Sequence, residues 1–191
     1  MSISSLSSYL QAHPAQRQEQ VIWHWHGYEL VMRLTDHLSD EAPAVTWVTS
    51  VRCLVMWRGR VLVVQAPHHH HILPGGRREP GESLAETAVR ETREETGWLV
   101  NDLLLVGFRH FHHLAPKPEP YPYPYPDFLQ VIFTARAVEF QPGAKEIDGY
   151  ELGSMMRPLK EIATFNLTPG EIFFLRASLN KWRKVGKTVT N

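Results

Sequence analysis

The feature that most constrains this chain is a cluster of acidic side chains at the end of a predicted helix. Three glutamates, Glu91, Glu94 and Glu95, fall within five residues just before Gly97. The C-terminal end of a helix already carries partial negative charge, and glutamates one turn apart repel each other. A bound divalent cation would relieve both effects. The cluster therefore predicts a metal site, and the glycine pair at 75–76 just upstream suits phosphate chemistry at such a site.

The helix that carries these acids has recognisable ends. Ser83 and Glu86 form a capping box at its start, and Gly97 supplies the left-handed residue that often ends a helix. At about 100° per residue, the predicted buried face consists of Ala85, Ala88, Val89, Thr92 and Thr96. Glu95 lies on the edge of this face and Glu91 just outside it, whereas Glu94 is more exposed. Because a buried, unpaired carboxylate is costly, either an arginine or a metal must compensate.

A simpler interpretation is a solvated helix stabilised by ion pairs. Arg90 lies one turn from both Glu86 and Glu94, and such pairs are common on helix surfaces. A glycine and a further acid upstream, Gly76 and Glu82, favour the metal site instead.

The spacing of these residues resembles the signature of the Nudix hydrolase family, G-x5-E-x7-R-E-U-x-E-E-x-G-U, in which U is a bulky aliphatic residue. The matching positions are Gly76, Glu82, Arg90, Glu91, Glu94, Glu95 and Gly97. Thr92 and Trp98 occupy the two aliphatic positions and depart from the pattern, which concerns packing beneath the loop more than chemistry. The resemblance covers residues 46–184 and is strongest over 73–98.

The resemblance implies a Mg²⁺- or Mn²⁺-dependent hydrolase that cleaves a pyrophosphate bond in a nucleoside diphosphate-linked substrate. The implied metal ligands are the carboxylates of Glu91, Glu94 and Glu95 and the carbonyl of Gly75. Arg90 would orient the acids through charge-assisted hydrogen bonds, and Gly76 would contact the substrate. Glu91, Glu94 and Arg90 are thus expected to serve catalysis.

The general base of this family is either the acid at the position of Glu91 or an acid from a later loop. The loop candidates are Glu146, Asp148 and Glu151. Glu151 is favoured because the sequence at 156–159, Met-Arg-Pro-Leu, resembles the segment that follows this loop. The alternative is an ordinary acidic surface loop.

Two further segments are unusual in composition. The run from His68 to His71 is internal, so we interpret it as a loop beside the active site, with His71 as a candidate contact to substrate phosphate. Residues 116–126 alternate proline with other residues, which predicts extended polyproline II structure. Tyr121, Tyr123 and Tyr125 would form a stiff aromatic ladder that stacks a nucleobase. The alternative is a rigid surface connection or a contact between subunits.

The order of predicted elements indicates an α/β protein, a Nudix-type α/β/α sandwich with a mixed β-sheet. Strands are predicted over 51–57 and 60–65, joined by a hairpin turn at 58–59, and over 103–111, 128–138 and 152–156. A second helix is predicted over 169–182, with Thr168 as its N-cap. We expect a hydrolase domain over 46–184 and a frayed tail over 185–191.

Residues 1–45 are predicted to form an N-terminal, mainly helical extension. One helix is expected near 5–10, and a second helix-compatible stretch runs over 20–38 with Gly27 as a weak point. The Trp23-His24-Trp25-His26 run lies in the second stretch. We interpret it as packing on the domain or on a second subunit, with an aromatic cluster for a ligand as the alternative.

Composition limits the partners and the compartment. The formal net charge of zero offers no electrostatic basis for binding nucleic acid or an anionic membrane. The expected partner is a nucleotide-type small molecule, and a homodimer is possible. The chain has one cysteine, Cys53, which excludes an intramolecular disulfide and lies in an apolar run. Neither a signal-peptide pattern nor a long apolar run is present, which favours a cytoplasmic protein.

Two rival functions share the fold. One is a nucleotide-sensing module that binds without turnover, although such a module has no need for all of the acids. The other is an isomerase-type relative acting on a diphosphate ester, whose chemistry would require a well-placed cysteine that Cys53 does not supply.

Overall fold

A computed structural model describes residues 5–146 and 151–188 of the 191-residue chain. Its helices are α1 (Leu6–Ala12), α2 (Leu84–Thr96) and α3 (Pro169–Thr188). Its strands are β1 (Arg17–Trp25), β2 (Tyr28–Leu38), β3 (Val48–Trp57), β4 (Arg60–Gln65), β5 (His70–His71), β6 (Trp98–His113), β7 (Asp127–Phe140) and β8 (Gly153–Pro158). Short 3₁₀ turns cover Val45–Trp47, Pro142–Ala144 and Leu159–Phe165.

The described strands form one mixed sheet. Its order is β1-β2-β6-β7-β3-β4-β5, and β8 pairs with β4. Strands β3 and β7 run parallel, whereas the other paired strands are antiparallel. The strands predicted over 51–57, 60–65, 103–111, 128–138 and 152–156 are all present, and most are a few residues longer than the pattern indicates.

Helices cover the sheet on both faces. Leu84 and Ala88 of α2 share one buried cluster with Tyr9 of α1. Phe174 and Leu175 of α3 belong to a second cluster on the other face. The layers confirm the predicted α/β/α sandwich with a mixed sheet. Within residues 5–146 and 151–188, no helix combines the length and apolar content needed to cross a bilayer.

Helix α2 begins and ends as the sequence predicts. The Ser83 hydroxyl accepts a hydrogen bond from the Glu86 amide, the Glu86 side chain caps the Ser83 amide, and Gly97 adopts a left-handed φ of 75°. The predicted buried face needs correction: Leu84 and Thr87 are also buried, whereas Ala85 is exposed and Val89 is only half-buried. Thr87 donates to both the Glu82 carboxylate and the Ser83 carbonyl, so the glycine loop folds over that side of the helix.

The prediction of a mainly helical extension is wrong for residues 20–38. β1 and β2 form a hairpin whose turn residues, His26 and Gly27, have φ values of 45° and 84°. β2 then pairs with β6, from Met32 opposite His113 to Leu38 opposite Gly107. The short N-terminal helix is confirmed, and its Tyr9 lies in the main core with its ring centroid 5.0 Å from that of Phe108. The extension therefore belongs to the same sheet and core as the rest.

The structure also tests the predicted end of the last helix and the interpretation of Cys53. Helix α3 continues to Thr188, six residues beyond the predicted end at Trp182 and into the tail that we expected to be frayed. Cys53 is fully buried, and burial raises the pKa of its thiol to about 12, which confirms an inert core cysteine.

Candidate active site

Arg90 is the hub of the acidic cluster. Its Nε and Nη2 donate to the two oxygens of Glu82, at 2.6 and 3.0 Å. Its Nη1 donates to Glu91 Oε1 at 3.0 Å and to Glu94 Oε2 at 2.8 Å, and Nη2 also reaches the Arg77 carbonyl at 3.0 Å. One guanidinium thus joins the glycine loop to two acids of α2, as the resemblance implies for this position. Several hydrogen bonds lower the pKa of Glu82 to about 2, and the bond from Arg90 has the largest effect.

Gly75 and Gly76 bring the glycine loop against Glu95 and Glu91 of the helix. The Gly75 amide donates to Glu95 Oε2 at 2.8 Å. The Glu91 carboxyl packs so closely on Gly76 that a Cβ at that position would collide with it. Burial raises the pKa of Glu91, and it raises that of Glu95 to about 8. Loop and helix therefore hold two carboxyls in a place where their ionised forms need a compensating cation.

Arg52 is a site residue that the sequence reasoning missed. Its side chain is half-buried beneath the loop, donates to the Gly75 carbonyl, and interacts electrostatically with Glu95 and Glu91. The available signal was a charged residue between Val51 and Cys53, in a strand that is otherwise strongly apolar. Burial lowers the pKa of Arg52, although the neighbouring acids oppose this effect. Arg52 supplies part of the positive charge that the acids require.

A later loop closes over the C-terminal end of α2. The Glu146 amide donates to the Glu94 carbonyl at 2.7 Å, and Lys145 Nζ donates to the Glu151 carbonyl at 2.6 Å. Glu151 also contributes to raising the pKa of Glu95 by charge repulsion. Two of the three candidate bases, Glu146 and Glu151, are thus beside the acidic cluster. The third, Asp148, lies outside the described residues.

These residues enclose what we call the carboxylate cavity, about 490 Å³ in volume. Its lining consists of Arg52, Gly75, Gly76, Arg77, Glu91, Glu94, Glu95, Glu146 and Glu151. The three α2 glutamates are not tightly clustered: among the described residues, only a different set has three ligand atoms within 4.8 Å of one another. Arg90 holds Glu91 and Glu94, whereas Glu95 turns to the Gly75 amide.

A second cavity adjoins the first and shares Arg52, Gly76 and Arg77 with it. We call it the aromatic cavity; its volume is about 560 Å³. Its remaining lining consists of Ile22, Trp23, His24, Trp25, Leu30, Thr49, Ser50, Phe111, Tyr121, Tyr123, Phe128 and Gln130. The N-terminal hairpin thus forms one wall, and the Trp-His run both packs on the domain and faces this space.

The tyrosines of the proline-rich segment do not form one ladder. Tyr121 is buried and its hydroxyl lies 3.0 Å from His113 Nε2. Tyr123 stacks under the Arg77 guanidinium, 4.5 Å from its ring centroid, and both residues line the aromatic cavity. Tyr125 points elsewhere, since its hydroxyl donates to the Ala115 carbonyl and it lines neither cavity. A hydrophobic cluster around Phe111 pulls Tyr121 inward, which breaks the predicted ladder.

His71 also lies outside both cavities. It belongs to the short strand β5 and pairs with Val64. Burial, followed by the charge of Arg52, lowers the pKa of His71 to about 4. The side chain is therefore a neutral packing group near the site rather than a cation facing the cavity.

The residues of the carboxylate cavity fit a hard divalent cation. The available donors are carboxylate and carbonyl oxygens, which Mg²⁺ and Mn²⁺ prefer. Burial raises the pKa of Glu95 to about 8 although Arg52 opposes the shift, so a bound cation would further stabilise the ionised carboxylate. The close contact of Gly76 with Glu91 also leaves no room for a side chain at position 76 of the loop.

Comparison with known proteins gives a consistent match. The model of the NUDIX domain matches residues 46–175. A NUDIX hydrolase from Nitrosomonas europaea has a similar fold, with a TM-score of 0.55 at 22% identity, covering 70% of this chain and 90% of that one. A mutant of the Bacillus subtilis pyrophosphohydrolase BsRppH has a TM-score of 0.56 at 22% identity, covering 80% of this chain and 92% of that one.

A short part of this chain is similar in sequence to a curated enzyme. The asymmetrical bis(5'-nucleosyl)-tetraphosphatase of Mus musculus is 52% identical over 42 residues, which is 22% of this chain and 29% of the mouse protein. The match thus spans less than a third of that relative.

Proposed function

Because this chain belongs to the NUDIX domain family, we propose that it is a Mg²⁺- or Mn²⁺-dependent pyrophosphohydrolase acting on a nucleotide-type substrate. The observation that carries this proposal is the junction of the two cavities. A cavity lined by five glutamates shares Arg52, Gly76 and Arg77 with a cavity lined by aromatic rings. A diphosphate needs metal and cationic groups, while a nucleobase needs flat apolar surfaces, and here the two environments adjoin.

Glu91, Glu94, Glu95 and the Gly75 carbonyl would hold the cation. When bound, a divalent ion neutralises phosphate charge and lowers the pKa of an attacking water. Arg90 keeps Glu91 and Glu94 in place through two hydrogen bonds of 3.0 and 2.8 Å. Arg77 lies where the two cavities meet and would contact the phosphate chain beside the base.

Proton removal from water would fall to Glu91 or to the loop that carries Glu151. Glu151 lines the carboxylate cavity, and its charge acts on Glu95. Glu146 lines the same cavity and is the matched comparison for Glu151. A Glu151→Gln variant that loses activity while Glu146→Gln retains it would assign the base to Glu151.

The aromatic cavity would bind the base. Tyr123 lies under Arg77, and Trp25 meets the rings of Tyr121 and Tyr123 edge-on, at 5.3 and 6.2 Å. Base stacking on such side chains is tolerant of base identity and contributes about 1–3 kcal/mol per base. The proposal therefore names a nucleotide without choosing its base or its second substituent.

The direct experiment is a panel of nucleoside diphosphate derivatives and dinucleoside polyphosphates assayed for product release with Mg²⁺ or Mn²⁺. We expect hydrolysis of at least one class, abolished by a chelator. Glu91→Gln and Glu95→Gln should each lower kcat/KM by about 100-fold or more, while Glu139→Gln, an exposed acid on β7, should not change it. Full activity in both site variants would refute the assignment of these residues.

A catalytically silent nucleotide-binding module is the second candidate. The observation that favours it is the hydrogen bond from Arg52 to the Gly75 carbonyl, one of the expected metal ligands. A silent module would bind nucleotides in the same panel with saturation but release no product. Binding measured by calorimetry beside the product assay separates the two functions.

A further inference from the structure

Outside both cavities, three side chains converge as metal ligands do. Among the described residues, His110, His112 and Asp127 present ligand atoms that all lie within 4.8 Å of one another. His110 Nε2 and His112 Nδ1 each lie 2.7 Å from the same oxygen, Asp127 Oδ1. Two ring nitrogens and one carboxylate oxygen therefore point at one small volume.

Strand geometry explains this convergence. His110 and His112 are two residues apart on β6, so their side chains project from the same face of the sheet. Asp127 is the register partner of His112 on β7. Phe111, between the histidines, and Phe128, next to Asp127, both line the aromatic cavity. The cluster therefore lies on the opposite face of the sheet from that cavity, and none of its three residues lines the carboxylate cavity.

Burial and geometry leave the cluster ready to coordinate. His110 is only 8% exposed, and a neutral imidazole has one unprotonated ring nitrogen that is free to bind a metal. Both imidazoles lie within hydrogen-bond distance of the same Asp127 oxygen, so the three ligand atoms are already held close together. Asp127 also lines a cavity of about 370 Å³ beside α1, which gives water and ions a route to the cluster.

We propose that His110, His112 and Asp127 bind a transition-metal ion of the Zn²⁺ class, as a second metal site on the face of the sheet opposite the aromatic cavity. Two imidazoles and one carboxylate form a donor set that suits Zn²⁺, Ni²⁺, Cu²⁺ or Fe²⁺ and is poor for Mg²⁺. Three protein ligands leave a position for water.

The neighbouring charge supports the same choice of ion. Arg33, the register partner of His112 on β2, acts on His110 as a nearby positive charge. A nearby positive charge opposes any divalent cation, and a hard cation held by charge alone is opposed more than a metal that bonds strongly to imidazole. Binding exchanges the two hydrogen bonds of Asp127 for metal bonds and joins β6 to β7 where both strands also form the wall of the aromatic cavity.

Calorimetric titration with Zn²⁺ in saturating Mg²⁺ tests the proposal, because Mg²⁺ would compete for the proposed glutamate site but not for imidazole ligands. The native chain should bind one tight equivalent. His112→Ala, at a partly exposed position, and Asp127→Asn, which preserves size and hydrogen bonding, should each weaken it by more than about tenfold. His69→Ala, in the exposed histidine run, is the matched control and should leave the affinity unchanged.

A second readout separates the site from loose binding to surface histidines. Zn²⁺ should raise the melting temperature of the native chain and of His69→Ala, but not that of His112→Ala or Asp127→Asn, since a ligand that binds only the folded chain stabilises it. Native-like binding in both cluster variants, or loss of the tight equivalent in His69→Ala, would overturn the proposal.

Discussion

At the scale of single residues, the acidic cluster is organised by arginines as well as by glutamates. Arg90 makes hydrogen bonds to three carboxylates and one carbonyl, all between 2.6 and 3.0 Å. Acids on neighbouring turns would otherwise repel. The guanidinium is planar and offers five donors, so one side chain can fix several oxygens at once in a way that an ammonium cannot.

This geometry makes Arg90→Lys a sharp test of positioning. A lysine keeps the charge but loses the forked contacts, so the carboxylates of Glu91 and Glu94 lose their fixed orientation. We expect kcat/KM to fall by about 10–100-fold and the Mg²⁺ affinity to fall in parallel. Arg93→Lys, exposed on the same helix, should change neither quantity. Steady-state kinetics over a Mg²⁺ titration measure both, and normal kinetics in Arg90→Lys would contradict a positioning role.

The ionised Glu95 carboxylate, which is suited to metal binding, should lower the stability of the metal-free fold. Burial raises its pKa from 4.5 to about 8. The folded chain therefore binds this proton more tightly than the unfolded chain, so the contribution to stability is fully present below about pH 4.5 and is lost as the pH rises through about 8. Glu95→Gln removes this dependence and retains an acceptor for the Gly75 amide.

With a chelator present, Glu95→Gln should increase the free energy of unfolding above about pH 8 by roughly 2 kcal/mol. The gain should largely vanish below about pH 4.5. Urea unfolding at the two pH extremes measures the difference, with Glu139→Gln as an exposed control. An equal effect of Glu95→Gln at both extremes would show that this carboxyl carries no pH-dependent cost.

At the scale of elements, local signals predicted what local interactions determine. The ends of α2 follow from Ser83, Glu86 and Gly97, which act on their own helix, and the structure confirms both ends. The apolar runs of β3 and β4 and the turn at Arg58-Gly59 also act over short distances. These elements could be predicted because their causes lie within a few residues in the sequence.

The N-terminal hairpin was missed because its cause is distant. Its strand β2 is fixed by pairing with β6, whose residues lie about seventy positions further along the chain. The dipeptide His26-Gly27 was a hairpin signal, since both residues take positive φ in a two-residue turn. The burial of Glu95 has a similar origin, because the glycine loop covers this edge of the helix face from outside the helix. Arg52 and Arg77 enter the site for the same reason.

The N-terminal hairpin should increase substrate affinity, because it forms one wall of the aromatic cavity. Trp23 is 44% exposed, lines the aromatic cavity and packs 5.3 Å from Phe111, ring centroid to ring centroid. Loss of one stacking surface is worth about 1–3 kcal/mol, so Trp23→Ala should raise KM by about tenfold with little change in kcat. Gln18→Ala, exposed on the same strand, is the control. An unchanged KM with the best substrate of the panel would exclude a role for this wall.

At the scale of the whole molecule, a buried charge network joins the hairpin to both the sheet and α3. The Asp36 side chain on β2 is fully buried and accepts hydrogen bonds from Arg17 Nη1 at 2.8 Å and Arg109 Nε at 2.6 Å. The Arg109 guanidinium in turn lies over the Phe174 ring of α3, 5.7 Å from its centroid. Three elements that are far apart in the sequence thus depend on one carboxylate.

Asp36→Ala should therefore destabilise the whole chain rather than the hairpin alone. Removing the carboxylate leaves Arg109 without its acidic partner and Arg17 with Glu19 alone, and breaking a buried pair of this kind costs about 3–5 kcal/mol. Asp40→Ala is the matched control, because Asp40 is 91% exposed although it pairs with Lys181 on α3, and it should cost less than about 1 kcal/mol. Chemical unfolding followed by tryptophan fluorescence and by far-UV circular dichroism should give coincident transitions in both variants. If fluorescence, which reports partly on Trp23 and Trp25 of β1, changed before the dichroism, the hairpin would unfold as a separate unit and its role as an integral wall of the aromatic cavity would fail.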